Sequence, residues 1–179
     1  MYNFFIFITY YFLILTSIVG YGLYSLKLLN IKFNFVNFGY AGLFGIYILI
    51  VYSYLSNLFI AHTEIHNLII LFIGLILFIY LVKQKYSLYK SEIIFSFIVF
   101  ILLFCAVLQF KNHDDFPYYH FPYAYYLTQQ SLYLGIGQFN HGFRTPSSIF
   151  YINSLFFLPY AKFYLFNFTS IFILGFTNI

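Results

Sequence analysis

Residues 67–83 read NLIILFIGLILFIYLVK. Between Asn67 and Lys83 no side chain carries charge. A helix of this length rises roughly 25 Å, and a bilayer span needs about 20 apolar residues. The run is continuously apolar, without the in–out alternation of a barrel strand. Lipid offers no partner to backbone N–H and C=O groups, so such a run must satisfy them internally, as a helix. Four further runs share this character, at about 3–25, 38–60, 93–110 and 162–178.

Composition agrees with that reading. The chain has 179 residues, 63% of them hydrophobic and 7% charged, with mean hydropathy +0.88. A water-soluble domain carries roughly 25% charged residues; this chain could not cover itself with polar groups. The net charge of +4 is spread along the sequence, without the dense basic patch that nucleic acid requires, so no nucleic-acid partner is expected. Cys105 is the only cysteine and excludes a disulfide within the chain. The opening MYNFFIFITYYF lacks a basic n-region, and its apolar run is too long for a cleaved signal; it reads as a retained span.

The expected fold is therefore all-α and polytopic, with about five transmembrane helices. Residues 1–110 form a four-span bundle and 111–161 an outer loop. Residues 162–179 form a fifth, incomplete span. Because the sequence stops at GFTNI without a polar tail, it reads as an N-terminal fragment of a larger fold. The first link holds Lys27 and Lys32 and the third Lys83, Lys85 and Lys90, whereas AHTEIH at 61–66 has no lysine or arginine. By the positive-inside rule the N-terminus and the 111–161 loop lie outside the cytoplasmic membrane.

That loop is different in kind. It opens KNHDDFPYYHFP at 111–122, with Asp114 and Asp115 side by side in a chain that has only four acidic residues. A carboxylate close to the end of a span is partly desolvated and suited to act as a base; a solvated turn is the alternative. FPYAYYLTQQSLYL at 121–134, with Pro122 in its first turn, predicts a short interfacial helix that the glycines of 135–137 break. Thr145 and Pro146 predict the cap and first residue of a second, over about 146–158. Arg144, the only arginine, precedes that start, where backbone N–H groups and a guanidinium together suit an anion; contact with lipid headgroups is the alternative. His120 could hold a phosphate, relay a proton or join the carboxylates on a metal, or simply face solvent. His113 and His141 are weaker candidates. Tyr118, Tyr119, Tyr123, Tyr125 and Tyr126 could stack on a sugar or form an interfacial aromatic belt. No metal-ligand spacing is present, so no metal site is expected, although a divalent cation could assist. His62 and His66 flank Glu64, and a capped turn accounts for them. The sequon Asn167-Phe168-Thr169 lies in the last apolar run, out of a transferase's reach.

An acidic pair in the first large outer loop of a multi-pass chain, followed by interfacial helices, resembles the GT-C class of glycosyltransferases. It is most similar to bacterial multi-pass membrane proteins carrying an Asp-x-x-x-Tyr-His-x-Pro run. Here that run is Asp115, Tyr119, His120 and Pro122, followed by Gly135-Ile136-Gly137 and the pair Ser147-Ser148. The resemblance covers 111–158. It departs from the pattern at Arg144, which does not clearly match the family's basic position, and in the further spans such enzymes carry. It implies sugar transfer, with inversion, from a polyprenyl-phosphate donor to an acceptor on the outer face. Asp115 or Asp114 would serve as base, and His120, Tyr119 and Arg144 would bind the donor. A non-enzymatic membrane component, such as a transporter or assembly subunit, and an inactive fragment are the alternatives.

Overall fold

The computed structural model describes residues 2–31, 37–84, 86–108 and 114–179. Lys32, Lys85, Lys111 and His113, which entered the sequence reading, lie outside them. Four long apolar helices dominate: α1 (Tyr2–Leu28), α2 (Phe38–Asn57), α3 (Glu64–Gln84) and α4 (Tyr86–Val107). All four are long and apolar enough to cross a membrane. They are joined by α5 (Phe121–Gln129), α6 (Ser148–Ser154) and α7 (Phe168–Thr177). Helices α3 and α4 begin earlier than hydropathy alone indicates. Thr63 caps the first, its carbonyl accepting the Asn67 N–H at 2.9 Å. The second runs back through SLYKSE, which holds no helix breaker.

The bundle is built on α1, which packs along both α2 and α3. Glycine permits the approach. A Cβ on Gly22 would stand 1.7 Å from the Ala41 carbonyl oxygen, and one on Gly20 would stand 2.0 Å from that of Gly74. Lipid-embedded helices associate without a hydrophobic driving force, so close backbone packing and interhelical hydrogen bonds must hold them. The second kind is present too. The Ser17 hydroxyl lies 2.5 Å from the Leu71 carbonyl, Tyr21 donates to Ile70 at 2.8 Å, and Tyr11 donates to Phe100 at 2.9 Å. At the far end, the α2 N-terminus gives its Phe38 N–H to the Glu92 carboxylate at 3.2 Å. Glu92 itself sits on α4, so one helix supplies the cap of another.

Two expectations about the C-terminal third need revision. Helix α7 has ten residues, roughly 15 Å of rise against a hydrocarbon core of about 30 Å. It lies inside the bundle, with Phe168, Phe172 and Phe176 buried among Tyr11, Phe100 and Gly42. Helix α6 is not a surface helix, since Phe150 to Ser154 are all buried. It packs between α5 and α2. The sequon is occupied internally: the Thr169 hydroxyl donates to the Asn153 side chain.

Candidate functional site

Residues 114–147 form a cap over the end of the bundle where α2 stops and α3 starts. The chain leaves α4, turns at Asp114 and Asp115, and enters a single π-helical turn, Phe116–His120, that runs directly into α5. Tyr119 stands four residues after Asp115, its N–H bonded to the Asp115 carbonyl at 3.3 Å, and its hydroxyl donates to the Asp115 carboxylate at 3.1 Å. That bond, ahead of desolvation, raises the Tyr119 pKa above its ordinary value, so the phenol keeps its proton and remains a donor. Asp114 is exposed and Asp115 half-buried. His120 packs edge-on to Tyr119 at 4.5 Å and lies 5.0 Å from the Phe150 ring.

The second half of the cap is tied to the first. The Asn140 amide donates to the Tyr118 carbonyl at 3.4 Å. Gly142 lies so close to Tyr119 that a Cβ would come within 2.4 Å of its own Cβ. Arg144 ends the 3-10 turn His141–Phe143 and donates from Nε to the Gly137 carbonyl at 3.3 Å. It lines an open depression with Gly135, Gly137 and Gln138. Acidic and basic candidates thus share one cap, linked through Tyr119 and Gly142. The expected helix start at Pro146 is displaced, however. The N-cap is Ser147, whose hydroxyl accepts the Ile149 N–H at 3.3 Å, and α6 is only seven residues long. Arg144 therefore stands outside its N-terminal field. Tyr123 is also withdrawn from any sugar-stacking role: it is buried, and its hydroxyl bonds that of Tyr151 at 3.1 Å. Among the described residues no three His, Cys, Asp or Glu side chains converge on a metal-sized space.

The sequence reading missed a buried polar network beneath this cap. The capped turn expected at 62–66 is present, but it carries more. His62 is fully buried. Its Nδ1 lies 2.6 Å from the Ser154 Oγ and its Nε2 2.9 Å from the Ser56 Oγ. The Ser154 hydroxyl is committed to the Tyr151 carbonyl at 2.6 Å, so His62 must donate from Nδ1 and accept at Nε2 from Ser56. Its ring stacks on that of His66 at 5.3 Å. His66 lies between the Tyr52 hydroxyl at 2.7 Å and the Asn67 Oδ1 at 3.0 Å. Asn67 shares its two amide hydrogens among the carbonyls of His62, Ser154 and Phe157 at 2.8–3.0 Å. The signal was there: Asn67 and Ser154 are polar residues set in apolar surroundings. Their convergence from opposite ends of the chain was not visible.

This is not a nucleophilic Ser–His pair. The imidazole proton points at Ser154, whose own proton is held elsewhere, and neither side chain reaches solvent. Burial, and secondarily His66, push the His62 pKa down to about 3 from an ordinary 6.5. The folded-state pKa is depressed, so His62 contributes full stability above pH 6.5, lost as pH falls towards about 3. The slope from this one group approaches about 1.4 kcal/mol per pH unit. Melting of detergent-solubilised protein at pH 7.5 and pH 5 should therefore show an acid loss that the H62Q variant lacks. An equal loss in both would remove His62 as the cause.

No protein-family model, curated protein or solved structure matches this chain. Its class rests on its own architecture, a multi-pass helical membrane protein with a structured cap at one end of the bundle.

Proposed function

We propose that the chain is a GT-C-like glycosyltransferase, or the N-terminal part of one. It moves a sugar from a polyprenyl-phosphate donor to an acceptor on the outer face of the cytoplasmic membrane. The observation that carries this reading is the Asp115–Tyr119 pair, eight residues beyond the end of α4 at Val107, with an arginine on the adjoining turn. The acceptor hydroxyl gives its proton to Asp115, or to the exposed Asp114. Its oxygen attacks the anomeric carbon from the face opposite the phosphate, and the bond from that carbon to the phosphate oxygen breaks. Tyr119 holds the carboxylate in place. Arg144 and His120 meet the charge of the departing polyprenyl phosphate. No acidic residue follows Asp115, so the later cap does not repel that anion. The outward orientation is supported by Lys27, Lys83 and Lys90 at the opposite end of the bundle.

Loss of a general base costs roughly 10²–10⁴-fold in rate. The variant D115N, in membranes supplied with a radiolabelled polyprenyl-phosphate hexose, should lose transfer by that factor while retaining the wild-type melting temperature. Undiminished transfer would remove Asp115 from the mechanism. A second reading, a non-enzymatic transporter or assembly subunit, draws on the polar network beneath the cap, since buried polar groups inside a bundle commonly mark a pathway. It expects D115N to be silent and changes at His66 to matter.

A further inference from the structure

We infer that the loop tip Tyr133–Phe139 is a membrane-inserted wedge, which seats the cap on the headgroup boundary of an anionic bilayer. Three observations converge on lipid as the occupant. Leu134 is 97% exposed and Phe139 87% exposed, large apolar side chains held outward on either side of the turn at Gly135 and Ile136–Gln138. Their position is fixed relative to α2. The Leu132 N–H donates to the Asn57 carbonyl at 2.8 Å, which ties the tip to the last residue of α2. Helix α2 presents Tyr40, Tyr47, Val51 and Leu55 outward, a stripe at helical spacing along the face that meets lipid. That stripe continues past the helix end through Leu58 and Phe59, the latter 82% exposed, next to where the tip is tethered. The wedge therefore extends a surface that already faces acyl chains.

Charge selects the kind of surface. No acidic residue lies between Phe116 and Ile179. Arg144 is fastened to the tip through the Gly137 carbonyl. An apolar wedge beside a cation suits an anionic headgroup layer, in which such elements sit about 5–10 Å deep. Helices α5 and α6 contribute less to this contact, because α5 buries Tyr123, Ala124 and Leu127 against α6. This inference is independent of the proposed transferase activity.

The chain contains no tryptophan, so L134W reports from one position. The full-length variant is reconstituted into vesicles of phosphatidylcholine and phosphatidylglycerol, with the phosphatidylcholine brominated near the headgroup end of its acyl chains. A wedge at interfacial depth predicts emission shifted to the blue and quenched by about half or more by the brominated lipid, with little quenching by aqueous acrylamide. F139W should behave alike and covers the case in which L134W does not fold. Acrylamide quenching without lipid quenching would place the tip in water and overturn the inference. A blue shift without lipid quenching would also overturn it, since a second copy or another protein would then cover the tip.

Discussion

Replacing Gly22 with leucine is expected to prevent assembly of the bundle. A Cβ at position 22 would stand 1.7 Å from the Ala41 carbonyl oxygen, and the reciprocal position, Gly45, would meet the Ile18 carbonyl oxygen at 1.9 Å. Overpacking a core usually costs about 1–3 kcal/mol because neighbouring side chains yield. Here the obstacle is backbone. Helix α1 would have to withdraw from α2, and because α1 also packs on α3, that contact would loosen with it. A loss above about 4 kcal/mol follows, in the range reserved for severe core damage. Unfolding by sodium dodecyl sulfate in mixed micelles measures it. The contrasting substitution is G135A, where a Cβ meets nothing within 4 Å but the backbone has φ +86°. It should cost only about 1–2 kcal/mol, the strain of a left-handed backbone. Equal stability of G22L and wild type would mean that the glycine seam does not hold α1 and α2 together.

The second large effect is expected from N67L. The side chain is nearly isosteric but can neither donate nor accept. Its loss would orphan the His66 imidazole N–H and leave the carbonyls of His62, Ser154 and Phe157 without its amide, all at the closed end of the bundle. Each buried group left unpaired costs roughly 1–3 kcal/mol, and the set together about 4 kcal/mol or more. The damage would be local in a telling way. Asn67 joins the α2–α3 link to α6, on which α5 packs, so α6 and with it the cap should loosen before the four long helices separate. Limited proteolysis of N67L should cleave within the cap while the long helices stay protected. Simultaneous loss of cap and bundle would show that the network does not serve as the tether between them.

How much of this was legible beforehand differs from one element to the next. The four long helices were, because a run such as 67–83 has one physical solution in lipid. Pro122 correctly marked the first turn of α5, but the helix read over 121–134 stops at Gln129, where Gln130 is already extended, so the glycines of 135–137 are not what ends it. The Asp115–Tyr119 contact could be anticipated as a neighbourhood, since the two stand four residues apart, but the π-helical turn that carries the chain on into α5 could not. The second short helix was read two residues early, because Thr145 and Pro146 carry the same capping signal as Ser147, and local chemistry alone does not choose between adjacent caps. Helix α7 was read as a span because hydropathy measures composition and not depth; the same phenylalanines that could face lipid instead fill the gap between α1, α2 and α4.

The amino-acid pattern on its own settled the helical, apolar class of the protein and its four long helices, since both depend on local periodicity and on the solvation of single groups; it also offered a fifth run, where the structure has the ten-residue α7. Tertiary structure alone decided that His62, Asn67 and Ser154 meet, that α6 is interior, and that α1 is the helix against which two others close. Those outcomes rest on contacts between segments 54 to 92 residues apart. No local preference encodes them, and packing and hydrogen-bond satisfaction select them only when the whole chain is in place.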